Sequence, residues 1–236
     1  MTLIHGWGMN GQVFTPIYAA LADYYEVKRL VLPGHGGYEW LVGKPIDDQV
    51  QELSREVDRG ILLGWSLGGL YALEMVRQFP GKFSSLVLVC CNPCFVQKKG
   101  WDAAVENKVF DQFTRDLDKG WASTIQRFLT LQMHGVENSR EMVRSFMAIL
   151  RNGAEPTPQG LENGLHLLKT CDYRDQLRDI DIPVTFILGE RDPLVPIQVA
   201  NEIYNLNRSI RVELLHGAGH APFLSHNQAF LELILN

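Results

Sequence analysis

A serine, an aspartate and a histidine, met in that order along the chain, are the residues here that could carry out acyl transfer. Ser66 stands at the centre of Gly64-Trp65-Ser66-Leu67-Gly68. The apolar run Ile61-Leu62-Leu63 precedes it and helical spacing over 70–79 follows. That context makes the pentapeptide a sharp strand-to-helix turn that lifts a hydroxyl to the top of a sheet. The flanking glycines are needed because a Cβ there would meet neighbouring backbone. A helix N-terminus beneath the serine favours negative charge as it develops. A serine hydroxyl is a weak nucleophile at neutral pH, so a base must take its proton and an acid must orient that base.

Two downstream loops offer these partners. Gly189-Glu190-Arg191-Asp192-Pro193 follows the apolar run 183–188, and Gly217-Ala218-Gly219-His220-Ala221-Pro222-Phe223 follows the last strand pattern. Both leave the carboxyl ends of strands, where sites on open sheets form. His220 is the expected general base. Asp192 is preferred to Glu190 as the acid, although an Asp-Pro step is also common in plain turns. The oxyanion of a tetrahedral intermediate needs two backbone donors. One is expected from the N–H of Leu67, which follows the nucleophile. The other is expected from the N–H of Trp7 in His5-Gly6-Trp7-Gly8. The remaining histidines, His5, His35, His134, His166, His216 and His226, read as structural or solvent-facing. No H-x-x-H pairing points to a metal, and the chemistry requires neither metal nor redox cofactor.

The elements that hold these residues follow from periodicity. Strand patterns lie at 3–4, 25–32, 61–64, 85–90, 183–188 and 211–215, and helical patterns at 13–24, 47–59, 70–79, 197–204 and 227–235. Strands alternating with helices predict a mostly parallel sheet with helices on both faces. The rhythm breaks after Pro93. Helical spacing at 101–117, 121–133, 139–150 and 159–168, with no convincing strand, predicts an inserted helical lid over 94–170. The core would then be 1–93 and 171–236.

Composition narrows the function class. The chain has 236 residues, 46% hydrophobic and 21% charged, with a net charge of -5. These are globular values without the basic footprint of a nucleic-acid binder. No apolar run reaches the length of a membrane span and the start has no signal-peptide form, so a cytoplasmic protein is expected. Four cysteines in a chain this long do not suggest a disulfide framework. Cys91 and Cys94 form a C-x-x-C pair, but no second pair or clustered histidine completes a zinc site. They and Cys90 read as small side chains at a strand end.

Further stretches carry a resemblance. They are Gly64-Trp65-Ser66-Leu67-Gly68-Gly69, His5-Gly6-Trp7-Gly8, Pro93-Cys94-Phe95, Phe128-Leu129-Thr130-Leu131-Gln132, Leu194-Val195-Pro196 and His220-Ala221-Pro222-Phe223-Leu224-Ser225-His226. The chain resembles, over nearly its whole length and through the lid, the α/β-hydrolase carboxylesterases that act on pimeloyl-acyl-carrier-protein methyl ester in biotin synthesis. The resemblance implies the α/β-hydrolase fold and a triad of Ser66, Asp192 and His220. It implies substrate contacts at Trp7, Ser66, Leu67, Phe128, Leu129, Thr130, Leu131, Gln132 and His220. It also implies an acyl-carrier protein as partner, met by Arg127, Arg140 and Arg144, while Ser123 replaces another arginine of the family. A monomer is expected. The resemblance also implies strands before the His-Gly loop, and their absence would be expected to leave a sheet edge exposed.

Charge adds modest support. Residues 95–170 hold ten lysines and arginines against nine acids, while the rest holds twelve against eighteen. A lid more positive than its body could steer an acidic partner. The alternatives are a broad short-chain carboxylesterase with the same triad and a non-catalytic receptor or scaffold on the same fold. Dehalogenase chemistry is disfavoured because it needs a carboxylate at position 66.

Overall fold

The computed structural model describes residues 1–38, 41–133 and 135–235. Among these residues six parallel strands form one sheet: β1 (Thr2–Ile4), β2 (Lys28–Leu30), β3 (Gly60–Trp65), β4 (Phe83–Val89), β5 (Val184–Gly189) and β6 (Arg211–Leu215), in the order β2-β1-β3-β4-β5-β6. Successive strand residues point to opposite faces, yet Leu62 and Leu63, Leu3 and Ile4, and Phe186, Ile187 and Leu188 are all fully buried. Both faces of the sheet are therefore covered, which is why these strands read as continuous apolar runs.

The covering helices of the first half are α1 (Thr15–Ala22), α2 (Ile46–Leu53) and α3 (Leu67–Gln78). Between β4 and β5 come α4 (Asn107–Lys119), α5 (Trp121–Gln132), α6 (Ser139–Asn152), α7 (Pro158–Thr170) and the short α8 (Arg174–Arg178). The chain closes with α9 (Val199–Leu206), α10 (Pro222–Ser225) and α11 (Asn227–Leu235). Helix α1 packs on α11 and α2 on α3, while α4, α5, α6 and α7 pack among themselves and reach the core through α7 against α3.

Strand order decides where a site can form. The chain leaves β1 to one side for β2 and crosses to the other side for β3. The loops after β1 and β3 therefore diverge at a topological switch point, where a crevice opens. Ile4 is in register with Gly64, so the His-Gly loop and the serine turn begin side by side. Gly189 is likewise in register with Leu215, which sets the acid loop beside the histidine loop.

Several elements differ from the periodicity reading. The strand expected at 25–32 is only Lys28–Leu30, and the helix expected over 47–59 ends at Leu53 and tightens into a 3-10 turn. The helix expected at 101–117 begins at Asn107. Residues ahead of it are held by bridges between Val96 and Val105 and between Lys98 and Trp101. Buried Trp101 explains this, because its indole N–H donates to Asn92 Oδ1 and to the Cys94 carbonyl, both at 3.0 Å. A buried indole that finds acceptors in its own loop fixes the loop against helical winding. Helices α8 and α10 are too short to leave a periodic signal. β2 lies at the sheet edge, and its Lys28 and Arg29 place charge on that edge.

Candidate active site

Ser66 has φ 53° and ψ -119°, a conformation that L-residues rarely adopt, between the end of β3 and the start of α3. Its N–H donates to the Val89 carbonyl at 3.0 Å, and its carbonyl accepts from Gly69 N–H at 2.9 Å. The sequence folds this way because two glycines permit it. A Cβ on Gly64 would lie 2.5 Å from the Gly68 carbonyl oxygen, and one on Gly68 would lie 2.2 Å from that of Ile4. The second contact shows that the start of α3 rests directly on the end of β1. Gly6 completes the junction, its missing Cβ falling 3.2 Å from the Ser66 Cβ.

His220 is fully buried and held from several directions. Its Nδ1 lies 2.7 Å from Asp192 Oδ2. Its backbone N–H donates to the Gln132 carbonyl at 3.2 Å, at the end of α5. Its carbonyl accepts from the Trp65 indole N–H at 2.7 Å. Asp192 is itself fixed, since Oδ1 accepts the N–H groups of Leu194 at 2.8 Å and Val195 at 3.1 Å. A carboxylate acceptor at Nδ1 puts the ring proton there and leaves Nε2 as an acceptor. Nε2 is buried and, among the described residues, has no hydrogen-bond partner. That is the protonation pattern a general base requires.

The structure brings Asp192 to His220 and holds Glu190 elsewhere. Glu190 is exposed, accepts from Gly217 N–H at 2.8 Å, and lies 3.5 Å from His216 Nδ1, contacts that hold its carboxyl below the usual range. Trp7 and Leu67 are each only 1% exposed, and among the described residues neither of their backbone N–H groups has an acceptor. Buried backbone donors are rarely left without partners, and two such N–H groups are what an oxyanion requires. The Trp7 indole N–H donates to the Leu161 carbonyl of α7 at 2.8 Å, and its ring meets Phe128 edge-on at 4.8 Å.

The chain matches the model of the alpha/beta hydrolase family over residues 3–233. It is 35% identical to the pimeloyl-acyl-carrier-protein methyl ester esterase of Aliivibrio salmonicida, over 98% of this chain and 88% of that protein. It is 38% identical to the protein of the same name from Aeromonas hydrophila, over 99% of this chain and 93% of that one. This chain belongs to the pimeloyl-acyl-carrier-protein methyl ester esterase family of alpha/beta hydrolases. Among solved structures, an esterase from Exiguobacterium antarcticum superposes with TM-score 0.87 at 19% identity, covering 100% of this chain and 90% of that one. A bromoperoxidase from Bacillus anthracis gives 0.88 at 18%, covering 99% and 89%. These two show the fold alone.

In this hydrolase a narrow apolar cavity of about 20 Å³ touches Ser66. Its walls include Phe95, Phe110, Phe113, Phe128, Leu165 and Leu194. Of the α5 stretch 128–132, Phe128 lines this cavity, Leu129 and Gln132 are buried, and Thr130 and Leu131 line grooves on the outer surface. Helical periodicity splits the stretch between two faces of α5. Arg140 and Arg144 are exposed and line one outer groove of about 320 Å³ with Thr130, Met133 and Val143. Arg127 instead pairs with Asp116 of α4 at 2.9 Å, its side chain still 68% exposed.

His5 and His35 are buried, while His166 and His216 are exposed and His226 half-buried. His134 lies outside the described residues. All four cysteines are free, and Cys90, Cys91 and Cys94 are buried. Among the described residues, the group of three possible metal-ligating side chains is Cys90, Asp192 and His220. Burial holds the Cys90 thiol well above its usual range, which keeps it protonated beside the Asp192 carboxylate. The sequence reading missed Trp65, the clamp on His220. Its only signal was a buried-type aromatic next to the nucleophile, and the indole's reach to a loop 155 residues away is a tertiary fact. It also missed Arg191, whose guanidinium donates to the Gly135 carbonyl at 2.5 Å and ties the acid loop to the α5–α6 turn.

Proposed function

We propose that this protein hydrolyses the methyl ester of pimeloyl-acyl-carrier protein, with Ser66 as nucleophile, His220 as general base and Asp192 as the orienting acid. The observation that supports this most is the buried Asp192–His220 hydrogen bond at 2.7 Å, which leaves His220 Nε2 available as an acceptor. Ser66 Oγ attacks the ester carbonyl while His220 Nε2 takes its proton. Asp192 stabilises the resulting imidazolium. The N–H groups of Trp7 and Leu67 hold the oxyanion. The tetrahedral intermediate collapses, and His220 returns the proton to the departing methanol. Water, deprotonated by His220, then attacks the acyl-Ser66 ester, releasing a free carboxylate and restoring the serine.

We take residues 94–170 as a lid over a core of 1–93 and 171–236, which fits the placement of α4, α5, α6 and α7 between β4 and β5. The cavity at Ser66 has room for about one water-sized molecule, so an acyl chain enters only when the apolar walls from α4, α5 and α7 part. Carrier docking is proposed on the outer groove with Arg140 and Arg144, whose guanidinium groups suit an acidic partner. Arg127 contributes from its exposed tip while keeping Asp116.

The test compares kcat/KM for pimeloyl-acyl-carrier-protein methyl ester with that for a short nitrophenyl ester at low and moderate salt. A strong carrier preference that weakens with salt supports the proposal. Turnover of the short ester alone leaves the triad standing and makes this a general esterase.

A further inference from the structure

The oxyanion loop is stitched to the loop after β2 by a pair of buried histidines that the acyl-transfer steps do not use. The His5 and His35 rings lie 5.3 Å apart and are 0% and 1% exposed. His5 Nε2 is 3.1 Å from the Leu32 backbone N–H, a donor, so Nε2 is the acceptor and the proton resides on Nδ1. That Nδ1–H donates to the Gly6 carbonyl at 2.9 Å. His35 repeats the pattern in the other direction. Its Nε2 accepts from Gly8 N–H at 3.1 Å, and its Nδ1–H donates to the Pro33 carbonyl at 3.0 Å. Each ring thus joins the two loops or braces a turn within one of them.

The Gly6 carbonyl and the Trp7 N–H belong to one planar peptide and point in opposite directions. Fixing the carbonyl fixes the direction of the N–H. Gly6 O takes two donors, His5 Nδ1–H and the Met9 N–H at 3.3 Å, whereas the Trp7 N–H at the other end has no acceptor among the described residues. Hydrogen bonds to a peptide carbonyl also polarise its N–H and strengthen it as a donor.

We propose that His5 and His35 are positioning residues of the oxyanion hole: His5 holds the Gly6 carbonyl so that the Trp7 N–H faces the substrate oxygen, and His35 anchors the next peptides through Gly8. This rests on the reading of Ser66 as nucleophile and Trp7 as oxyanion donor. Neither histidine touches substrate. Both act through backbone, as electrically neutral rings kept so by burial, which pushes His5 down to about 3 and His35 to about 4.

The test exploits the shapes of two amides. Asparagine places its amide where histidine has Nδ1, and glutamine places its amide where histidine has Nε2. His5→Gln therefore keeps the partner of Leu32 and loses the hold on Gly6, while His5→Asn does the reverse. The roles cross at the second site, since His35→Asn loses Gly8 and His35→Gln keeps it. All four variants lose one buried hydrogen bond and should unfold at lower urea than the parent. On a short nitrophenyl ester, kcat is expected to fall about tenfold to a hundredfold in His5→Gln and His35→Asn, with KM little changed. It should stay within about threefold of the parent in His5→Asn and His35→Gln. Affinity for a trifluoromethyl ketone, which forms a tetrahedral oxyanion on the serine, should fall with kcat/KM across the set.

Activity that tracks urea stability rather than this crossed pattern overturns the proposal, as does a His5→Gln enzyme with parental kcat. If one site's variants do not fold, the other site's pair still decides. Ser66→Ala, run alongside, keeps the underlying reading separate. Turnover surviving that change refutes the nucleophile, whereas a dead Ser66→Ala enzyme beside an uncrossed histidine set refutes only the positioning role.

Discussion

The roles proposed for Ser66, Asp192 and His220 rest on what surrounds each residue rather than on its own reactivity. Ser66→Ala is expected to abolish ester turnover and fluorophosphonate labelling while leaving the melting transition in place, since the turn is held by backbone contacts. Asp192→Asn removes the carboxylate that fixes the His220 tautomer, and kcat should fall about ten-thousandfold. Stopped assays with enough enzyme to detect the residual rate would check this. The buried pair His5 and His35 also shapes the pH dependence of stability. Both are held neutral in the fold, at about 3 and about 4, whereas in the unfolded chain they take a proton near the ordinary value of 6.5. Between those limits the unfolded state binds more protons, so stability rises with pH there and is lost on acidification below 6.5. The expected loss is up to about 1.4 kcal/mol per pH unit for each histidine. Urea titrations between pH 7 and 4.5 would measure it, a window above that in which Asp172, held at about 2 by Arg174, begins to protonate.

At the scale of elements, the site is a meeting of strand ends and helix ends at close quarters. Helix α3 starts within contact distance of β1 only because residue 68 has no side chain. Gly68→Ala would drive a Cβ into two backbone carbonyls, those of Ile4 and His5, which cannot yield as a side-chain tip can. A loss of about 3 kcal/mol or more is expected in denaturant unfolding. Helix α7 makes a subtler approach. A Cβ at Gly164 would lie 2.6 Å from the Trp7 ring, so Gly164→Ala gains helix propensity and displaces Trp7. Activity should fall by more than stability does, and parallel kcat and urea measurements would separate the two. The end of α5 has a similar reach, because its Gln132 carbonyl holds the His220 backbone.

At the scale of the whole molecule, charge is divided between body and helical layer. Arg140 and Arg144 sit in an outer groove, and the α5–α6 turn beside it is linked to the acid loop through Arg191 and Gly135. Changing both Arg140 and Arg144 to Ala is expected to raise KM for the carrier-linked ester several-fold at low salt. The effect should fade as salt rises and be absent for a short ester. Arg127→Ala should in addition lower stability modestly, because Asp116 would lose a partner that joins α5 to α4. A partly exposed pair of this kind contributes little to stability.

Ser66, its two glycines, and the downstream aspartate and histidine were legible in the sequence because turn chemistry and chain order are local signals. The parallel sheet was legible for the same reason, its strands being apolar runs between helical patterns. The start of α4 was not, since a buried indole outcompeted periodicity at 101–105. The sequence preferred Asp192 to Glu190, although both stand at the end of one strand. What only tertiary structure adds is that one carboxylate turns inward to His220 and the other outward to Gly217. The pairing of His5 with His35, the indole of Trp65 on His220, and the division of 128–132 between an inner and an outer face are likewise products of packing. Residue type and spacing determined which groups could react. Only the meeting of segments far apart in the chain determined which of them touch, because hydrogen-bond partners across a sheet leave no mark on the residues between.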